Sequence, residues 1–154
     1  MSVFSFIKNA GAKVFGIGKT TEEESALAAI EKANKLTSTV NALGFKVQDL
    51  NIVVNEDTAN VTGQADSQEI REKVVLVIGN TAGIASVKDN MTVLAKAPEA
   101  QFHTVVKGEY LSKIAKKYYG DAMKYPIIFD ANKPMLTYPD KIYPGKVLRI
   151  PKLN

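Results

Sequence analysis

Side chains able to do chemistry are few and scattered in this chain. It has one histidine, His103, and no cysteine. A lone imidazole without thiolate or histidine companions offers no zinc set, and disulfides and cysteine nucleophiles are excluded together. No glycine-rich loop followed by lysine and no serine-nucleophile motif occurs, so an enzyme is not expected. The acidic run Glu22-Glu23-Glu24 suits the first turn of a helix, while Glu56-Asp57 falls in a turn without the ligand spacing of a calcium loop. That leaves a stretch with no reactive side chain at all. Residues 77–87 read VIGNTAGIASV, uncharged throughout, with Gly79 and Gly83 bracketing Asn80, Thr81 and Ala82. Its main chain is the candidate. The last carbonyls of a helix lack intrahelical partners and lie at the negative end of the dipole. Neutral carbonyls are what a large monovalent cation such as K⁺ accepts in place of its water shell, whereas calcium asks for carboxylates. An ordinary helix-to-strand loop is the alternative reading of the same residues.

The elements that would position this stretch follow from periodicity. Thr21-Glu22-Glu23-Glu24 reads as a capping box, and Leu27, Ile30, Ala33, Leu36, Val40 and Leu43 form a helical stripe that ends at Gly44. Two strands, 47–54 and 59–65, are joined by a hairpin turn at Asn55-Glu56-Asp57-Thr58. A second helix starts at Asp66 or Ser67, carries Ile70, Val74, Val77 and Ile78 on one face, and stops at Gly79 before a third strand, 87–94. Ahead of all this, Phe4, Ile7, Gly11, Val14 and Phe15 recur at helical spacing and predict a short amphipathic helix over 3–15. That helix is expected to pack on a neighbouring domain rather than to anchor on a membrane surface, because only Lys8 and Lys13 flank its modest apolar face. Gly11 would expose its terminal carbonyls as Gly79 does.

The last third of the sequence changes character. Residues 1–96 carry ten basic against eleven acidic side chains, and residues 97–154 carry ten against five. The shift coincides with Ala95-Lys96-Ala97-Pro98-Glu99-Ala100, which reads as a linker between domains 1–96 and 97–154. Beyond it come a strand at 102–105, a helix with Leu111, Ile114, Ala115 and Tyr118 closed by Gly120, and a helix around Ile127, Ile128 and Ala131. Pro126 must lie in the first turn of that helix, and a return strand follows at 147–151. His103 is expected to be a strand-face residue. The expected fold class is α+β with two small domains: αββαβ preceded by a short helix, then βααβ.

The first domain, through Val61-Thr62-Gly63, Glu69 to Ile78 and Gly83-Ile84-Ala85-Ser86-Val87-Lys88-Asp89, resembles the BON domain family. The second resembles the LysM family through Val105, Gly108, Leu111, Ile114-Ala115, Tyr119-Gly120, Ile128, Asn132, Ile142, Gly145, Leu148 and Ile150-Pro151. LysM domains generally bind N-acetylglucosamine polymers such as peptidoglycan. That resemblance implies a groove between Gly108, Glu109, Tyr110 and Leu111 on one side and Lys133, Pro134, Met135 and Leu136 on the other. Glu109-Tyr110 stands where the family usually has Asp-Thr.

With its start, Phe4 to Gly11, and its end, Asn132-Lys133-Pro134-Met135 and Pro139 to Gly145, the whole chain resembles a family of bacterial potassium-binding proteins. The resemblance implies reversible K⁺ binding in the cytoplasm with a change of conformation. It maps the ion's ligands onto the backbone carbonyls of Ile7, Ala10, Gly79, Thr81 and Ile84, with the Thr81 hydroxyl a further candidate donor. Expected partners are K⁺ and other large monovalent cations, with a protein partner unspecified and the chain a monomer. Glycan binding or envelope association through the LysM groove is the competing expectation. Nucleic acid is not expected, since Lys113, Lys116 and Lys117 lack an arginine cluster or aromatic platform. No run approaches the length of a membrane span. Lys8, Asn9 and Lys13 interrupt the apolar runs that a secretory signal would need, so a cytoplasmic location is expected.

Overall fold

The structure is a computed structural model that describes residues 2–6 and 22–153. Helix α1 (Glu22–Ala42) is followed by a β-hairpin, β2 (Val47–Asn55) and β3 (Thr58–Ser67), then helix α2 (Gln68–Gly79) and strand β4 (Ser86–Ala95). The strand ahead of α1 is β1 (Ser2–Ser5). The sheet order is β1-β4-β3-β2, with β3 and β4 parallel and the other neighbours antiparallel. A parallel pair needs a crossover connection, and α2 supplies it. The alternation of β2 to β4 puts Ile52, Val54, Ala59, Val61, Val87 and Met91 on one buried face. Helices α1 and α2 cover that face with Leu36, Val40, Val74, Val75 and Ile78.

Two readings of this domain change. The predicted helix over 3–15 begins as a strand: Ser2 to Ser5 pair with Asp89 to Ser86 on the edge of β4. Phe4 and Phe6 alternate with exposed Val3 and Ser5, so the period of two competes with the helical spacing, and the open edge of β4 decides between them. The rest of that predicted helix, with Gly11, and the Thr21 cap lie outside the described residues. On α1, Ile30 does not join the buried stripe and is 65% exposed. Helix α2 begins as expected: Ser67 is the N-cap, its hydroxyl accepting the Ile70 N–H at 3.2 Å.

The second domain pairs β5 (Gln101–Thr104) with β6 (Val147–Ile150), antiparallel. Between them lie α3 (Leu111–Tyr119), a 3₁₀ turn (Ala122–Lys124) and α4 (Tyr125–Ala131), which has Pro126 in its first turn. Gly120 closes α3 at φ 75°, a left-handed value that favours glycine. Val105, Leu111, Ile114, Ala115, Ile128, Leu136, Leu148 and Ile150 form a second core.

The two cores meet along α2. Every residue from Val74 to Gly79 is buried, more than one amphipathic face accounts for. One flank of α2 lies on the first sheet and another against β6. No described helix is long and apolar enough to cross a membrane.

Candidate functional site

The C-terminus of α2 is where most of the predicted ligands fall. Its carbonyls divide into used and unused ones. Leu76 O accepts the Asn80 N–H at 2.9 Å, Ile78 O accepts the Thr81 N–H at 3.2 Å, and the Thr81 hydroxyl donates to Val77 O at 2.7 Å. Among the described residues none donates to the carbonyl of Gly79, although Gly79 is buried. A carbonyl without a protein donor keeps lone pairs that another ligand can use. The turn then closes on itself, Ile84 N–H donating to Thr81 O at 3.2 Å, with Gly83 at φ 92° making the reversal possible. The Ile84 side chain is sealed in the first core at 1% exposure. Its carbonyl also receives no hydrogen bond from a described residue. Thr81 thus keeps lone pairs on its hydroxyl oxygen while spending the proton.

Ile7 and Ala10 lie outside the described residues. What precedes them is placed. Phe6 donates its N–H to Ala85 O at 2.7 Å, continuing the β1–β4 ladder into the loop. Its ring lies directly on Gly79, where any Cβ would collide with it. Gly79 is therefore glycine because of a close approach, not a left-handed backbone. The β2–β3 turn meets the same loop, for Asp57 O accepts the Ala85 and Ser86 N–H groups at 2.7 and 3.3 Å. The uncharged stretch thus has an acidic residue's main chain beside it, a neighbour that linear sequence does not show.

Asn80, between Gly79 and Thr81, is the residue that sequence reasoning quoted but left without a role. Its amide leaves the loop and grips the second domain: Nδ2 donates to Val147 O at 2.9 Å, and Oδ1 accepts the Val147 N–H at 2.8 Å. Asn132 does the same one step along β6, accepting the Arg149 N–H at 2.7 Å and donating to Arg149 O at 2.9 Å. Val147 and Arg149 point their backbone groups away from β5, so two asparagine amides cap the open edge of β6. One of them belongs to the first domain. Close by, Asn80 Nδ2 also lies 3.4 Å from Met135 Sδ.

A second tie between the domains is ionic. Glu72 is buried and accepts from Arg149 Nε at 2.7 Å, from Ala100 N–H at 2.8 Å and from Gln68 Nε2 at 3.1 Å. Phe4 of β1 meets Phe102 of β5 with ring centroids 5.2 Å apart. Between them is a cavity of about 30 Å³, room for a single water.

The predicted LysM groove is split by the fold. Leu111 and Leu136 are core, 2% and 1% exposed, and Met135 faces Asn80. Gly108 sits at φ 89° in the first turn. Glu109 points inward, accepting from His103 Nε2 at 2.8 Å and from the Val106 N–H at 2.9 Å. Burial pushes its carboxyl up, but the Val106 and His103 hydrogen bonds and the attraction of His103 and Lys117 outweigh that, and it lies below the ordinary carboxylate value. His103 completes the set through Tyr118 Oη, 2.9 Å from Nδ1. Tyr110 is left outside, 54% exposed with Lys113 Nζ 4.9 Å from its ring centre. Lys133 stands over Phe129 at 4.6 Å and precedes Pro134 through a cis peptide bond.

A sheet of this order crossed by one helix, joined to a two-stranded βααβ unit, defines a two-domain protein of known families: BON matches residues 32–95 and LysM residues 103–151. The chain is 42% identical over 153 residues, 99% of both chains, to the potassium binding protein Kbp of Escherichia coli O6:H1. It belongs to the family of that protein. It is also 30% identical over 144 residues to the uncharacterized protein YqbP of Bacillus subtilis, covering 84% of this chain and 64% of that one. A third relative, an uncharacterized protein of Deinococcus radiodurans, is 51% identical over 49 residues, 32% of this chain and 19% of its own length.

Proposed function

We propose that this protein binds K⁺ reversibly through main-chain carbonyls at the C-terminus of α2, and that binding changes the relation of its two domains. The observation that carries the reading is the carbonyl of the buried residue Gly79, which has no described donor and lies at the negative end of a helix in an uncharged turn. The full-length likeness to a protein named for potassium binding supports it. The proposed ligands are the carbonyls of Gly79, Thr81 and Ile84, joined by those of Ile7 and Ala10. The chain reaches the turn at Phe6, one residue before Ile7. Such a set is uncharged and suits a large monovalent ion better than calcium.

Asn80 makes the ion's effect transmissible. An ion held by the carbonyls on either side of Asn80 orders the residue whose amide caps Val147, so occupancy and domain docking favour each other. The ion stabilises the folded chain by mass action. The role is that of a K⁺ sensor or buffer, monomeric and cytoplasmic; a chain without cysteine fits a reducing compartment.

Calorimetry of the full chain with KCl, NaCl, LiCl and CaCl₂, paired with thermal unfolding, tests this against the LysM alternative. KCl is expected to give binding heat and a raised Tm, and chitin oligomers neither. Heat with chitin oligomers and none with KCl would overturn the proposal.

A further inference from the structure

A charge beside the proposed site comes from another element, α1. Lys32, on α1, brings its Cε and Nζ up to the Gly83 turn. A Cβ at Gly83 would stand 2.9 Å from Lys32 Nζ and 3.2 Å from Cε, so the absence of a side chain there is what admits the ammonium. Among the described residues Lys32 has neither an ion pair nor a hydrogen-bonded acceptor. The loop from 77 to 87 holds no charge of its own. A positive charge on a half-buried side chain thus lies against a loop proposed to receive a mobile one. Structural ammonium groups usually have a carboxylate or carbonyl to answer them.

We propose that Lys32 is a specificity-determining residue for the cation site, a conclusion that rests on the K⁺ reading above. Its charge opposes every cation at the loop, and Coulomb repulsion grows in proportion to the ion's own charge. The penalty on a divalent ion is therefore about twice that on K⁺ in free energy, which is the square in affinity. Carbonyl ligands alone discriminate poorly against a divalent ion of similar size, such as Ba²⁺, because the higher charge draws the same oxygens more strongly. Lys32 reverses that advantage. It keeps K⁺ binding loose and readily reversible and divalent binding looser still.

The test uses the full chain as wild type, K32M, K32Q and K32R, titrated calorimetrically with KCl and with BaCl₂ at constant ionic strength, with Tm measured alongside. In the neutral variants K⁺ affinity is expected to rise roughly three- to tenfold and Ba²⁺ affinity by about the square of that factor. K32R keeps the charge and is expected to stay within about twofold of wild type. Wild type that takes up no K⁺ would sink the functional reading and this inference with it. Wild type that binds K⁺, with neutral variants binding K⁺ no tighter, would overturn the Lys32 role alone. So would a Ba²⁺ gain no larger than the K⁺ gain, or a K32R that behaves like K32M.

Discussion

Gly79 shows how one residue can be constrained from two directions. Its carbonyl is proposed as a ligand, and its missing side chain makes room for the Phe6 ring. Gly79→Ala puts a methyl group where that ring lies, forcing Phe6, and with it the segment leading to Ile7, away from the turn. Overpacking of this kind costs roughly 1–3 kcal/mol. We expect urea unfolding of the variant to show a loss in that range, and calorimetry to show weaker K⁺ binding. Adding Phe6→Ala to G79A should return part of the stability but not the affinity, because the steric conflict is relieved while the N-terminal segment stays detached. Full additivity of the two stability losses would argue against the contact.

At the scale of elements, the first turn of the second domain is held by a partly buried relay from Tyr118 on α3 through His103 on β5 to Glu109. Glu109 has its folded pKa below its ordinary value, so its contribution to stability is present above the unfolded carboxylate range and lost as pH falls through the folded value. The window therefore lies on the acid side, below about pH 4.5, the ordinary value for glutamate. Glu109→Gln should lower Tm near pH 6 and make little difference near pH 3, measured as paired thermal melts. An equal Tm deficit at both values would mean that the Glu109 charge does not hold the turn. The same relay explains why Glu109 is unavailable to a polymeric ligand in the predicted groove.

At the scale of the whole molecule, the domains are joined by groups that leave little slack. Glu72 carries Arg149, the Ala100 N–H and Gln68 on two carboxylate oxygens, with side-chain exposures of 6% for Glu72 and 12% for Arg149. Removing one partner of such a pair leaves a buried charge unanswered and costs about 3–5 kcal/mol. Glu72→Gln should lose stability of that order in urea unfolding and broaden the single transition towards two, since the link between two cores is what fails. Loss below roughly 1 kcal/mol would show that the seam is wetter than its geometry implies. In the proposed coupling this seam is the path, since Asn80 crosses it 8 residues along the same helix and its cap.

Much of this was legible in one dimension. Period-two and period-3.6 patterns with their glycine stops place α1, α2, the hairpin and β4, as well as the βααβ unit, because local backbone geometry governs them. The uncharged, glycine-bracketed end of α2 was likewise visible as a stretch that offers neutral oxygens and no carboxylate. Three things were not. Whether residues 3–5 form helix or strand depended on a free edge of β4, at residues 86–88 of the sequence. Asn80 looked like a turn residue until β6 came within reach of its amide. Lys32 carries no signal in its own stretch of sequence, and only the fold sets it against Gly83. Sequence by itself determined which segments are regular and which carbonyls are left over. Tertiary structure decided what meets those carbonyls, because hydrogen-bond edges and electrostatic neighbours depend on distance in space rather than along the chain.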